Sequence, residues 1–289
     1  MIKSTQTDGR DLTDSQIEHF KTFGFLMRRK LFSAEEMEKI YEEYEIGMAN
    51  TLSHNKKETG ERGQFNWSNL NLQISYITSL IEDPRIVGAA EQLLGEDVFG
   101  VSTNCNLFNG NRTEWHPDLD NHQFKGAKFL LYSPAIDGNS GALRVIPGSH
   151  KAEFSEQLHH IGLKGSSVAT DSSYLKRSGL EINDIPAFVC KSEPGDMITF
   201  DSRLWHASWA GQKGRRMVSF NFCAYPKTAE EKEAVLLDAE ISRDIIKGFF
   251  PEPPCYDMWL ENAEDNPRFK HWMSALKKFG FMDRELVEG

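Results

Sequence analysis

From Val98 to Tyr225 the sequence breaks into short apolar or alternating runs, each bounded by Gly, Pro, Asn or Asp. The clearest runs are residues 129–132, 142–146, 187–190, 197–200 and 217–224. Many short strands with turn residues between them predict an antiparallel barrel or sandwich.

Helical texture flanks this region on both sides. Thr13 with Gln16 forms a capping box ahead of Ile17, Phe20 and Phe23, and Gly24 closes that helix. Residues 25–27 read as a short strand. Ser33 and Glu36 make a second capping box, followed at helical spacing by Met37, Ile40, Tyr41, Tyr44 and Met48. Residues 50–66 are polar, carry two glycines and read as a mobile loop. Asp83 and Pro84 open another helix, with Ile86, Val87, Ala90, Leu93 and Leu94 on its apolar face and Gly95 at its end. After the strands, Thr228 and Glu231 form a third capping box. A last helix starts at Pro267 and is lined by Phe269, Trp272, Met273, Leu276 and Phe279. No repeat or linker interrupts the chain, so residues 1–289 are expected to form a single domain: a helical part over about 12–95, a β core over about 98–226 and a helical tail over about 228–280.

The formal net charge of −10 makes nucleic acid and acidic membrane surfaces poor partners. Cys105, Cys190, Cys223 and Cys255 form no C-x-x-C pair and read as reduced, buried thiols. Residues 1–11 are polar and expected to fray, with no apolar signal-like stretch, and no apolar run reaches membrane-spanning length. The expected location is the cytoplasm.

Two segments carry chemistry. In Trp115-His116-Pro117-Asp118, a His and a carboxylate two residues apart point the same way if the backbone is extended. His206 follows the 197–200 run and supplies a second imidazole from a distant strand. Two imidazoles and one carboxylate on one face of a cation leave the other face open, which suits iron(II) taking a co-substrate and dioxygen. Downstream lie Arg215 and Arg216 at the start of the last apolar strand. A guanidinium there can hold a carboxylate by a bidentate fork.

These elements occur in order: W-H-x-D at 115–118, N-x-G-x-L-x-V-x-P-G-S-H at 139–150, P-G-D at 194–196, and H-x-S with a following Arg at 206–215. Together with Leu12-Thr13, Phe20 and Gly24-Phe25, the chain resembles the phytanoyl-CoA dioxygenase family of iron(II)/2-oxoglutarate oxygenases. The resemblance covers most of residues 12–226. It implies a double-stranded β-helix (a jelly-roll, cupin-like core) with helices packed outside, and iron ligation by His116, Asp118 and His206. It further implies that Arg215 binds the distal carboxylate of 2-oxoglutarate with help from Ser208. Tyr132 would line the co-substrate pocket, with Asn104 and Asn106 as further polar contacts. The implied activity is hydroxylation of a small molecule through a ferryl intermediate, with dioxygen consumed and 2-oxoglutarate converted to succinate and carbon dioxide. Desaturation or oxidative cyclisation would use the same centre. A non-catalytic cupin-like binding protein and a zinc hydrolase are the readings from other classes. Pro117 stands where family members often carry Gln, and Arg216 competes with Arg215 for the co-substrate role.

Other residues are read more plainly. His150 is expected to be structural, His122 has the wrong parity for a ligand, and His159 and His160 are expected to be exposed. Arg144 is a candidate for contacting an anionic substrate. Trp115, Trp205 and Trp209 serve either as a dry wall around the metal or as core. The segments 50–75 and 151–185 are the expected pocket-lining loops. The aromatic tail (Phe249, Phe250, Tyr256, Trp259, Trp272) is left open between core, lid and dimer surface.

Overall fold

The computed structural model describes residues 12–54, 64–68, 72–109, 113–163, 179–211, 213–249 and 257–282. The expectations for residues 1–11, Phe250, Cys255 and Tyr256 lie outside them, as do those for 55–63 and 164–178.

The described strands pair antiparallel into two sheets rather than closing as one barrel. The larger sheet runs β1 (Phe25–Arg28), β8 (Met197–Asp201), β5 (Gly126–Ser133), β10 (Lys213–Ala224), β3 (Val98–Asn109) and β2 (Gln64–Ser68). The smaller runs β4 (Thr113–His116), β9 (His206–Ser208), β6 (Arg144–Val145) and β7 (Phe188–Val189). This is the jelly-roll core expected from the texture of short runs. Helices flank it: α1 (Asp14–Phe23), α2 (Ala34–His54), α3 (Ser75–Ser79), α4 (Pro84–Leu94), α5 (Ala152–His160), α6 (Ala229–Phe249), α7 (Asp257–Asn262) and α8 (Pro267–Phe279).

The alternation of side chains along β5 explains where a site can form. Phe129 and Leu131 face the helices and join Phe99, Phe220, Phe222 and Trp272 in the main core. Leu130 and Tyr132 face the opposite way, toward the smaller sheet. Trp272 stands edge-on to Phe222, and its indole donates to the Val98 carbonyl at 3.1 Å, so α8 is keyed to β3. Trp259 and Trp272 are fully buried, which makes this part of the aromatic tail core.

The three capping boxes form as read. Gly24 ends α1 at φ +80, and a Cβ there would sit 2.5 Å from the His150 ring, so the helix end and the P-G-S-H turn are fitted to each other. His150 Nε2 lies 3.2 Å from the Lys21 carbonyl, which agrees with a structural role.

The P-G-D turn clasps the connection between β1 and α2. Gly195 has φ +94, and a Cβ there would meet the Phe32 carbonyl at 2.4 Å. The Asp196 carboxylate accepts from Lys30 N at 2.9 Å, Glu193 N at 3.0 Å and Arg29 at 2.7 Å. Burial alone would raise its pKa, but these hydrogen bonds hold it below the usual carboxylate range. A depressed carboxylate stabilises the fold above its unfolded pKa of about 4 and loses that contribution as pH falls through the folded value. Asp196→Asn is therefore expected to cost about 1–3 kcal/mol at neutral pH. In thermal melts, the gap between wild type and variant should shrink as pH falls through the lowered pKa of Asp196; a gap independent of pH would refute the ionic origin.

Several local expectations are corrected. Phe23 is 42% exposed and Tyr41 40% exposed, so neither belongs to the core. Both lie at the edges of their helices' apolar stripes, where spacing alone does not separate rim from core. Residues 50–54 continue α2 and residues 64–66 open β2, so the expected loop is shorter than 50–66. The turn residues Gly60 and Gly63 carried the loop reading, while Phe65 and Trp67 are buried in β2.

Candidate metal centre

His116 closes β4 and His206 opens β9, and the two are direct cross-strand partners. Their rings lie 4.3 Å apart. Each ring is oriented by its own backbone: Nδ1 of His116 donates to the Glu114 carbonyl at 2.7 Å, and Nδ1 of His206 to the Leu204 carbonyl at 2.9 Å. A carbonyl only accepts, so Nδ1 carries the proton in both rings and the Nε2 lone pair is left free. Burial pushes both imidazoles toward the neutral form, with His206 lowered to about 3.

Asp118 follows β4 with the parity expected from the extended H-x-D. Its Oδ1 lies 3.9 Å from His116 Nε2 and 3.7 Å from His206 Nε2. All three donor atoms fall within 4.8 Å of one another, close to the width of one ion's ligand sphere at bonds of about 2 Å. Burial works against the Asp118 carboxylate, but the Lys128 ammonium, 2.8 Å from Oδ2, holds the group well below the usual range. Two neutral nitrogens and one anionic oxygen fit a divalent transition metal.

The backing of the site comes from the P-G-S-H segment. Ser149 Oγ accepts from Trp205 N at 2.9 Å, and Ile146 N donates to the Trp205 carbonyl at 2.9 Å, which fixes β9 just before His206. Trp205 itself points away from the metal side and donates to Ser155 Oγ of α5. Trp115 and Trp205 are buried with Ile146, Leu158, Leu163 and Ile185, and Trp209 packs at the edge of that cluster. The three tryptophans are core, not a wall of the cavity.

A cavity of about 220 Å³ opens from this trio between the two sheets. Arg215 reaches into it from β10 and is 4% exposed. Its guanidinium stacks 3.8 Å over Phe108, donates to the Gly141 carbonyl and lies 3.3 Å from Ser208 Oγ. Its Nε is buried with no hydrogen-bond partner, and no carboxylate pairs with it among the described residues. A buried cation without a counter-ion is costly, and burial lowers its pKa. A guanidinium so placed can take a carboxylate by a bidentate fork. Arg216 faces the other side of β10, bound to Glu45 at 2.6 Å with Tyr41 beneath it. Alternation along the strand thus separates the two arginines.

A family model described as phytanoyl-CoA dioxygenase matches residues 20–217, a stretch that holds the trio, Arg215 and every motif between them. The chain belongs to the phytanoyl-CoA dioxygenase family. Relatives within reach of sequence comparison are ectoine dioxygenases. That of Nocardia farcinica is 28% identical over 226 residues, covering 68% of this chain and 72% of the relative. That of Bordetella bronchiseptica is 25% identical over 154 residues, covering 48% and 50% respectively. The chain thus spans about half the length of this Bordetella relative. Among solved structures, HygX from Streptomyces hygroscopicus with nickel and 2-oxoglutarate bound is similar at TM-score 0.56 and 16% identity, over 76% of this chain and 89% of that one. EctD from S. alaskensis with 2-oxoglutarate and 5-hydroxyectoine gives TM-score 0.56 and 19% identity, over 77% and 79%. At these identities the likeness is one of fold.

Within this member of the phytanoyl-CoA dioxygenase family, the predicted polar residues converge. Tyr132, Asn104, Asn106, Ser208 and Arg215 all line the cavity with the trio. Burial pushes the Tyr132 phenol up to about 12, so it stands as a neutral hydrogen-bonding group. Arg144 does not reach the cavity. It donates to the carbonyls of Gly138, Ala142 and Trp209 and lies 3.8 Å over the Trp209 ring, tying the turn before β6 to the strand beside it. Of the two expected pocket loops, Asn66 lines the cavity, but from β2. From 151–185 no described residue lines it. That segment instead contains α5, whose His159 packs edge-on to Trp205 and contacts Asp120 at 3.2 Å. Lys128, Phe108, Thr113 and Ser219 were not singled out and are part of the lining. Lys128 was detectable in principle: it shares its strand face with Tyr132, four residues on.

Proposed function

We propose that the chain is an iron(II)- and 2-oxoglutarate-dependent dioxygenase that hydroxylates a small molecule. The observation that carries this reading is Arg215, a buried guanidinium with no counter-ion among the described residues, facing a trio of two neutral imidazoles and one carboxylate across a shared cavity. His116 Nε2, Asp118 Oδ1 and His206 Nε2 would hold the metal. Arg215, with Ser208 and Tyr132, would hold the far carboxylate of 2-oxoglutarate, and Asn104 and Asn106 offer further hydrogen bonds. Once bound, iron(II), dioxygen and 2-oxoglutarate supply the oxidant: one oxygen atom goes to the substrate, the other to succinate, and carbon dioxide is released.

The protein's own share is positioning and exclusion. The carbonyls of Glu114 and Leu204 hold both imidazoles in the tautomer a metal needs. Phe108, Leu130, Leu143, Phe200 and Met217 form the apolar part of the cavity wall, and by excluding water they strengthen the attraction of Arg215 for a bound carboxylate. The carboxylate at residue 118 supports hydroxylation over halogenation, since a halide site requires that ligand to be absent. Cavity residues run from Asn66 to Ser219, which supports reading the chain as one oxygenase domain. Cys190 and Cys223 are buried thiols, which supports the cytoplasmic reading; among the described residues no helix is long and apolar enough to cross a membrane.

The test is anaerobic mixing of the purified protein with iron(II) and 2-oxoglutarate. The weak visible charge-transfer band of the chelate is expected, followed in air by succinate formation that a screened small-molecule substrate accelerates. Turnover of any substrate without dioxygen, or no band at all, would overturn the reading.

A further inference from the structure

Resting on the proposed metal role of Asp118, we infer that Lys128 is a positioning residue that keeps this carboxylate a one-oxygen ligand. Lys128 Nζ lies 2.8 Å from Asp118 Oδ2, while the other oxygen, Oδ1, is the one turned to both imidazoles. The two carboxylate oxygens thus have different partners on opposite sides. Lys128 comes from β5 in the larger sheet, whereas the imidazoles hang on the smaller sheet, so the ammonium approaches from across the cavity. Its head sits 5.9 Å from the centre of the Phe200 ring, which borders its approach.

The consequence is a coordination count. A carboxylate free to rotate can chelate a divalent cation through both oxygens. That would take one of the positions that a two-point co-substrate and dioxygen must share. An ammonium bound to Oδ2 makes the two-oxygen mode unfavourable, because Oδ2 would have to leave a charge-assisted hydrogen bond to reach the metal. Lys128 also lowers the basicity of the ligand it holds, and it contacts the carboxylate at Oδ2, leaving Oδ1 turned to the imidazoles. Partners of metal ligands commonly affect metal affinity by about 10–100-fold.

Three proteins decide the matter: wild type, Lys128→Met, which keeps the apolar stem, and Lys128→Arg, which keeps the cation. Each is titrated with cobalt(II) without dioxygen, following the ligand-field absorption, and again with 2-oxoglutarate present; circular dichroism confirms the fold. The expected result is an altered cobalt(II) spectrum in Lys128→Met, a change of about tenfold or more in metal affinity, and weakened 2-oxoglutarate chelation. Lys128→Arg should restore most of each. A folded Lys128→Met protein with the wild-type spectrum and affinities overturns the inference, as does a folded Lys128→Arg protein indistinguishable from Lys128→Met. If wild type itself binds no cobalt(II), the metal reading of the trio fails instead. Should Lys128→Met not fold, Lys128→Gln takes its place under the same criteria.

Discussion

Asp118→Ala is expected to abolish 2-oxoglutarate-dependent succinate formation, by about a thousandfold or more. Loss of a residue that merely supports a metal ligand costs about 10–100-fold, and loss of the only anionic ligand must exceed that. Asp118 Oδ1 lies 3.9 and 3.7 Å from the two Nε2 atoms, and among the described residues no other carboxylate lines the cavity to replace it. The substitution also strands Lys128 with an unpaired charge beside the two rings, which further opposes a cation. His206→Ala should behave alike, because its ring is the cross-strand partner of His116. Succinate measured by chromatography, with folding checked by circular dichroism, gives the answer. A folded Asp118→Ala protein within tenfold of wild-type turnover would mean the trio is not the reaction centre.

Arg215→Ala is expected to weaken 2-oxoglutarate binding by about 2–5 kcal/mol, the usual cost of truncating one partner of a buried charge pair. That is roughly thirtyfold to several thousandfold in affinity. Metal binding should survive, because Arg215 touches Gly141, Ser208 and Phe108 but none of the three ligands. Arg216→Ala is the control: its guanidinium is spent on Glu45 and Tyr41 outside the cavity, and co-substrate affinity should hold within a few-fold. The measurement is a titration of the iron(II) protein with 2-oxoglutarate. The opposite pattern, Arg216 critical and Arg215 dispensable, would show that the strand's two faces had been exchanged.

The trio and the arginine were legible in the sequence because strand parity and motif order are local properties. His116 and Asp118 are two residues apart, and alternation along the strand turns Arg215 to the cavity and Arg216 to Glu45 once the strand is in place. What escaped the sequence was decided by partners far along the chain. Lys128 pairs with Asp118 only because β5 is seated opposite the smaller sheet. Arg144 looked like an anion contact, but its guanidinium finds three backbone carbonyls that no spacing could reveal. The tryptophans flanking the ligands left core and wall equally open, and the packing of Trp205 against α5 chose core. Segment 50–66 misled because its glycines outweigh the two buried aromatics that follow, Phe65 and Trp67, which only β3 makes into a strand.

The two imidazoles and the arginine hang from different sheets: His116 and His206 from the four-stranded one, Arg215 from the six-stranded one. The gap between them is therefore a calliper, and its opening is fixed by everything wedged between the jaws. On the proposed function, a co-substrate chelated at one end and gripped at the other would be measured for length each time it entered. A distant change that spread the jaws by an ångström would leave every ligand intact and still cost about a hundredfold in rate. Selectivity among dicarboxylates of different chain length should accordingly respond to substitutions of Leu143 or Met217, which line the cavity between the two sheets.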